Sequence, residues 1–232
     1  MKSNVLTALQ QLVLTTLFKK GLGSREFFLT GGTALAEFYL HHRYSDDLDF
    51  FTRKPAPLQP DFDFVENELI SLSLVISQRS TSPEYARFIV HPEGFSDNKL
   101  KVEFARDRAG GVMMSPPSIF GEIIPVDSFE DIAVNKVCTI LSRGPEEPKD
   151  FVDLFFILSE SRYTLDYLIA KAREKEAAFD SEYGALQFAT RLNGVKNALI
   201  MPRMIKPLSH EEMAQRLGSL AEDLIRKLSP DR

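Results

Sequence analysis

The alternation of apolar and polar positions divides the chain into a mixed first half and a helical second half. Residues 4–20 carry Val5, Leu9, Leu12, Val13 and Leu17 at helical spacing, and Gly21 and Gly23 end that helix. Glu26 to Thr30 reads as a short buried strand. Gly31-Gly32 breaks it, and Thr33 to His42 returns to a helical pattern through Ala34, Leu35, Phe38 and Tyr39. In Asp47 to Phe51 the period is two, with Leu48 and Phe50 on one face and Asp47 and Asp49 on the other. Pro55 to Pro60 is proline-rich and reads as a loop, followed by a helix over Phe62 to Ile70. Leu72–Ser77, Tyr85–Val90 and Lys99–Phe104 read as strands. Gly110 to Pro117 reads as a loop, and Ile123 to Val126 as a further short strand.

Beyond this point the pattern is helical. Ser128–Leu141 opens with the capping pattern Ser128-x-x-Asp131, and Lys149–Ser159 follows Pro148, a residue suited to a first helical turn. Further helices are expected at Leu165–Glu176, Tyr183–Leu199 and Ser209–Leu228, the last with Ser209-x-x-Glu212 behind Leu208. The expected architecture is α+β. A mixed sheet with flanking helices occupies residues 1–126, and a helical domain that closes a cleft occupies residues 127–232.

Composition narrows the function classes. Apolar residues make up 44% of the 232, enough for a sizeable core. The net charge of −5 argues against a sequence-blind nucleic-acid coat, which depends on neutralising phosphates. Basic pairs at Arg53-Lys54, Arg203/Lys206 and Arg226-Lys227 leave room for local patches. The single cysteine, Cys138, fits a reducing cytoplasm and forms no internal disulfide. No apolar run reaches membrane-spanning length, and no signal peptide is read.

The chemistry concentrates between Phe28 and Thr52. On a strand, Asp47 and Asp49 point the same way, about 7 Å apart along the backbone. Two anions so placed repel unless a cation lies between them, and hard divalent ions such as Mg²⁺ take such oxygens. The alternative is a polar strand face in water. Gly31-Gly32 at a strand-to-helix turn is either a tight turn or a cradle of backbone N–H groups for phosphate, with the Thr33 hydroxyl as cap or ligand. Glu103 shares a strand face with Lys101. It either completes a metal site, acts as a general base, or faces solvent. His41-His42 reads as a helix end, because it has no partner at metal-ligand spacing, and Cys138, beside Val137 on an amphipathic helix, reads as core.

Gly31-Gly32-Thr33, thirteen residues, Asp47-x-Asp49 and a later strand carboxylate together resemble the polymerase-β-like nucleotidyltransferase superfamily. More closely, four ordered motifs resemble the AbiEii/AbiGii toxin group. These are Leu29-Thr30-Gly31-Gly32-Thr33-Ala34-Leu35-Ala36; Arg43-x-Ser45-x-Asp47-Leu48-Asp49-Phe50; Glu130-Asp131-Ile132-Ala133-Val134-Asn135-Lys136; and Arg143 with Lys149-Asp150-x-x-Asp153-Leu154. The resemblance spans residues 26–158. Glu103 departs from it, since aspartate is usual there in the wider superfamily.

The resemblance implies Mg²⁺-dependent transfer of NMP from an NTP to an acceptor hydroxyl, on RNA such as tRNA or on protein, by the toxin half of a toxin–antitoxin pair. Asp47, Asp49 and Glu103 are the implied metal and catalytic residues. Gly31, Gly32, Thr33 and Ser45 are the implied nucleotide contacts. Lys136 is implied to balance phosphate charge. Asp150 either orders the acceptor or pairs with Lys136, and Asp153 with Asp150 also suits a first helical turn. Arg43 either clamps a phosphate or pairs with Asp46. The other readings are a nucleotide-binding or regulatory module without transfer, and an enzyme acting on a small molecule such as an antibiotic.

Overall fold

Thr7 starts the first helix, α1 (Ala8–Lys19). Its hydroxyl accepts from the Gln10 N–H, and the Gln10 side chain accepts from the Thr7 N–H. The Gln10 amide also donates to the carbonyls of Ser45 (2.7 Å) and Asp47 (3.3 Å), tying the helix start to the acidic strand. This computed structural model describes residues 5–107, 113–114, 121–143, 148–197 and 200–228. The chain forms two compact units, Met1–Phe38 with Ser45–Ser128, and Tyr39–Tyr44 with Phe129–Arg232.

The first unit is built on β1 (Phe27–Thr30), β2 (Asp47–Thr52), β3 (Leu74–Ser82), β4 (Tyr85–Pro92), β5 (Leu100–Arg106), β6 (Met113–Met114) and β7 (Val126–Asp127). They make one mixed sheet in the order β3-β4-β5-β2-β1-β7-β6. β2 runs antiparallel to β1 and parallel to β5, which sets Asp47 opposite Lys101 and Asp49 opposite Glu103. The sequence places Met113 and Met114 in a loop, yet they pair with Asp127 and Val126. A two-residue strand beside glycines and prolines leaves no periodicity to read. The remainder of that expected loop, residues 110–112 and 115–117, lies outside the described residues.

Period-two alternation puts Leu48 and Phe50 into the core, both 0% exposed, and leaves Asp47, Asp49 and Phe51 half-buried on the opposite face. The core centres on Phe104. Its ring lies 5.0 Å from that of Phe50, 5.6 Å from Phe27, 6.2 Å from Phe88 and 6.5 Å from Phe62. Burying a phenylalanine contributes about 1.5–3 kcal/mol, so this cluster holds β2 and β5 firmly. Phe18 of α1 joins it, as does Phe62 of α3 (Gln59–Ser71). The α+β class expected from the sequence is the fold observed.

The expected helix after the glycines differs in detail. Four residues of α2 (Gly31–Ala34) pass into a π-helical stretch, Leu35–Leu40, and His41 follows at φ 49°. Such wide turns inside helices are frequent at functional sites.

The second unit holds α4 (Phe129–Arg143), α5 (Pro148–Glu160), α6 (Leu165–Lys175), α7 (Glu182–Gly194) and α8 (His210–Leu228). Pro148 opens α5, where its missing N–H costs nothing. Thr164 and Ser181 cap α6 and α7, and Ser209 accepts from the Glu212 N–H at 3.1 Å. The helix expected to reach Leu199 ends at Gly194 and becomes a 3₁₀ turn, Val195–Asn197; residues 198 and 199 lie outside the described residues. Residues 39–44 belong here because Arg43 bridges to Met204, and the Ile205 and Lys206 N–H groups donate to the His42 carbonyl at 2.9 and 3.0 Å. Among the described residues no helix is long and apolar enough to cross a membrane.

Candidate functional site

In the first unit the glycine turn and the acidic strand fit as one piece. Thr30 pairs with Asp49 across β1 and β2. Gly31 follows at φ 72°, and a Cβ there would stand 2.2 Å from Asp49 Oδ2. Only glycine adopts this backbone freely and also leaves room for the carboxylate. Gly32 and Thr33 are buried behind it, and the Thr33 hydroxyl donates to the Asp47 carbonyl. Ser45 is buried too. The turn is thus tied both to Asp49, by side-chain space, and to Asp47, by its backbone.

The carboxylate face contains a cation of its own. Lys101 Nζ lies 3.0 Å from Asp47 Oδ2 and 2.7 Å from Glu103 Oε2. The Tyr85 hydroxyl donates to Glu103 Oε1. Burial first, and then Glu103, push the Tyr85 hydroxyl up to about 12. Burial works against the Lys101 charge, but Glu103 and Asp47 outweigh it, so its ammonium titrates above the ordinary range. Among the described residues no three acidic, histidine or cysteine side chains stand ready-made as a metal cage. The donors nonetheless fit a hard divalent ion. They are oxygens, Asp49 and Glu103 are adjacent across the strands, and a cation already sits between Asp47 and Glu103.

The second unit holds a buried charge cluster. Lys136 on α4 lies 2.7 Å from both Asp150 Oδ1 and Asp153 Oδ2 on α5. Arg43 grips Asp153 with two donors, Nε to Oδ1 at 2.6 Å and Nη2 to Oδ2 at 2.8 Å, and His42 Nε2 stands 2.7 Å from the same Oδ1. All five residues are less than a tenth exposed. Burial opposes every charge here. For Asp153 the Arg43 and Lys136 cations prevail and hold its carboxyl well below the usual range. Asp153 and Asp150 likewise raise Lys136. For His42 burial wins and its pKa falls, so the ring is neutral. Two carboxylates then face two cations, which is how a cluster this dry stays balanced. Asp150 Oδ2 and His42 Nδ1 are buried with no hydrogen-bond partner among the described residues.

Asp150 pairs with Lys136, and Arg43 grips Asp153, a partner that neither of its expected readings named. Asp153, which the sequence reads as a first-turn residue, is a fully buried hub. His42 is no mere helix end. Arg143 is exposed at the end of α4, and burial pushes the Cys138 thiol up to about 11, which leaves it inert. Lys101 and Tyr85 were not singled out by sequence. Lys101 carried a readable signal, since alternation puts it on the face of Glu103.

A family model described as nucleotidyl transferase AbiEii toxin, type IV toxin–antitoxin system, matches residues 13–230. An uncharacterized protein of Aquifex aeolicus is 30% identical over 159 residues, 67% of this chain and 68% of that one. Among solved structures, JHP933 from Helicobacter pylori has a TM-score of 0.58 at 19% identity, covering 96% of this chain and 91% of that chain. MenT4, a nucleotidyltransferase toxin from Mycobacterium tuberculosis, has a TM-score of 0.56 at 15% identity, covering 97% and 86%. At these identities the two structures establish the fold.

Proposed function

The chain belongs to the nucleotidyl transferase AbiEii toxin family of type IV toxin–antitoxin systems and is a nucleotidyltransferase; from that premise we propose that it moves NMP from an NTP to an acceptor hydroxyl on RNA, such as tRNA, or on protein. Pyrophosphate leaves. The proposed setting is the cytoplasm, and a cognate antitoxin is the proposed partner.

The observation that supports this best is the fit of Asp49 into the space left by Gly31. It joins a phosphate-type turn to a metal-type carboxylate pair, two features that are each commonplace alone. Gly31, Gly32 and Thr33 are proposed to hold the triphosphate through backbone N–H groups, with Ser45 as a further nucleotide contact. Asp47 and Asp49, with Glu103 as the third carboxylate, would hold Mg²⁺. When bound, that ion supplies charge to the reacting phosphate and to the attacking and leaving oxygens. The Phe104 cluster anchors the two strands that carry these carboxylates. Lys136 is proposed to balance phosphate charge, because Asp150 and Asp153 keep its ammonium charged although it is buried. Asp150, with one oxygen that has no hydrogen-bond partner among the described residues, is proposed to order the acceptor hydroxyl.

The test is a labelling assay. Each α-labelled NTP is mixed with the protein, Mg²⁺ and whole-cell extract, and RNA and protein are resolved separately. Label in one fraction is expected and names the nucleotide and acceptor class. NTP binding with label in neither fraction would favour the non-catalytic module or a small-molecule acceptor.

A further inference from the structure

Three carboxylates, Asp47, Asp49 and Glu103, share one region of the sheet face, and Lys101 reaches across it. The lysine is fixed there by its backbone. Parallel pairing sets it opposite Asp47, and strand alternation sets it on the face of Glu103, two residues on. Its ammonium contacts both carboxylates at hydrogen-bond distance, and its side chain is only 29% exposed. The Tyr85 hydroxyl holds the other oxygen of Glu103, which restrains that carboxylate from swinging away.

We propose that Lys101 is a built-in counter-ion of the acidic face, whose ammonium takes a place that a divalent cation would use and so sets how tightly the nucleotide-free site binds that cation. The inference rests on the proposed metal role of Asp47 and Asp49. Charge arithmetic gives it direction. Loss of Lys101 removes one positive charge from the face that holds Asp47, Asp49 and Glu103 and leaves Arg87, which stands opposite Glu103 on β4, in place. A cation entering beside Asp47 meets Lys101 as a like charge close by, which costs affinity. An incoming triphosphate offers the ammonium a new partner, so nucleotide and cation favour each other's binding. Lys101 is on this account a positioning residue. Its removal strengthens metal binding, the reverse of what loss of a ligand does.

The test is Mn²⁺ binding without nucleotide, by calorimetry and by the paramagnetic signal of free Mn²⁺, on the full chain. Lys101→Met is expected to bind Mn²⁺ about tenfold more tightly than the unaltered protein, a factor that corresponds to about 1.4 kcal/mol. Lys101→Arg keeps the charge and is expected to keep the original affinity. In metal-free buffer Lys101→Met melts lower, and Mn²⁺ raises its Tm by more than that of the unaltered protein. Should Lys101→Met fail to fold by circular dichroism, Lys101→Gln replaces it. Equal or weaker Mn²⁺ binding by a folded neutral variant overturns the inference. Adding Asp47→Asn and Asp49→Asn separates the two levels. If the double substitution abolishes binding while Lys101→Met changes nothing, only the Lys101 role fails. If binding survives the double substitution, or no variant binds at all, the metal assignment fails and the inference with it.

Discussion

Asp49 occupies the space where a side chain on Gly31 would be: a Cβ at position 31 would lie 2.2 Å from Asp49 Oδ2. Gly31→Ala therefore carries two penalties. The left-handed backbone costs about 1–2 kcal/mol for a residue with a Cβ, and the carboxylate must also move. Gly21 has φ 105° with nothing within 4 Å of its Cβ position, so Gly21→Ala carries the backbone penalty alone. In urea unfolding with parallel transfer assays, both variants are expected to lose stability and only Gly31→Ala to lose activity. An active Gly31→Ala protein would separate the turn from the chemistry.

Asp153 is the hub of the buried charge cluster, so neutralising it leaves two buried cations facing Asp150 alone: Lys136 keeps that partner, and Arg43 loses the carboxylate that its Nε and Nη2 grip. Asp153→Asn is expected to destabilise the protein by about 3–5 kcal/mol, the cost of breaking a buried ion pair. Asp166, which meets Lys227 at 2.5 Å with both side chains more than half exposed, provides the contrast. Asp166→Asn should leave the unfolding midpoint where it was, because solvent screens such pairs. Equal effects of the two substitutions would refute the buried-cluster description.

His42 gives the cluster a pH dependence. Its pKa is lowered in the fold, chiefly by burial. Below the unfolded value of about 6.5 the unfolded chain therefore binds a proton that the folded chain refuses. The His42 contribution to stability is present above that value and is lost as pH falls towards the folded pKa. His42→Gln keeps a donor for Asp153 but does not titrate. Between pH 7 and pH 5 the unaltered protein should lose more Tm than His42→Gln, and parallel curves would count against a neutral buried ring.

Much of this was legible in the chain, and what was not has a common cause. Asp47-x-Asp49 could be placed on one face because strand alternation is local, and Leu48 and Phe50 proved to be the buried partners. The same alternation joined Lys101 to Glu103, but that β5 lies beside β2, with Lys101 opposite Asp47, is a pairing between distant segments. Asp153 looked like an ordinary first-turn carboxylate because its partners, His42 and Arg43, lie 111 and 110 residues away. Met113–Met114 is too short a strand to show a period, and the π-helical stretch after the glycines keeps an ordinary helical apolar pattern. Local rules carried the elements and the motif residues. Long-range pairing decided which charges meet.

Lys136 and the aspartate pair should fail differently under kinetics. Lys136→Met is expected to raise the KM for NTP while leaving nucleotide-free Mn²⁺ binding unchanged, since its proposed partner is phosphate charge. Asp47→Asn and Asp49→Asn are each expected to lower kcat by about 100-fold or more, the scale of losing a preorganised electrostatic contact. A Lys136→Met protein with unaltered KM and kcat would return that lysine to a purely structural role.

The central claim is that this fold transfers a nucleotidyl group, and position-specific labelling of the NTP tests it most directly. With α-labelled NTP, label should appear on the acceptor. With γ-labelled NTP it should appear only in pyrophosphate, and the Asp47→Asn/Asp49→Asn double variant should show neither. Transfer of γ-label to the acceptor, or equal labelling by the double variant, would contradict the account.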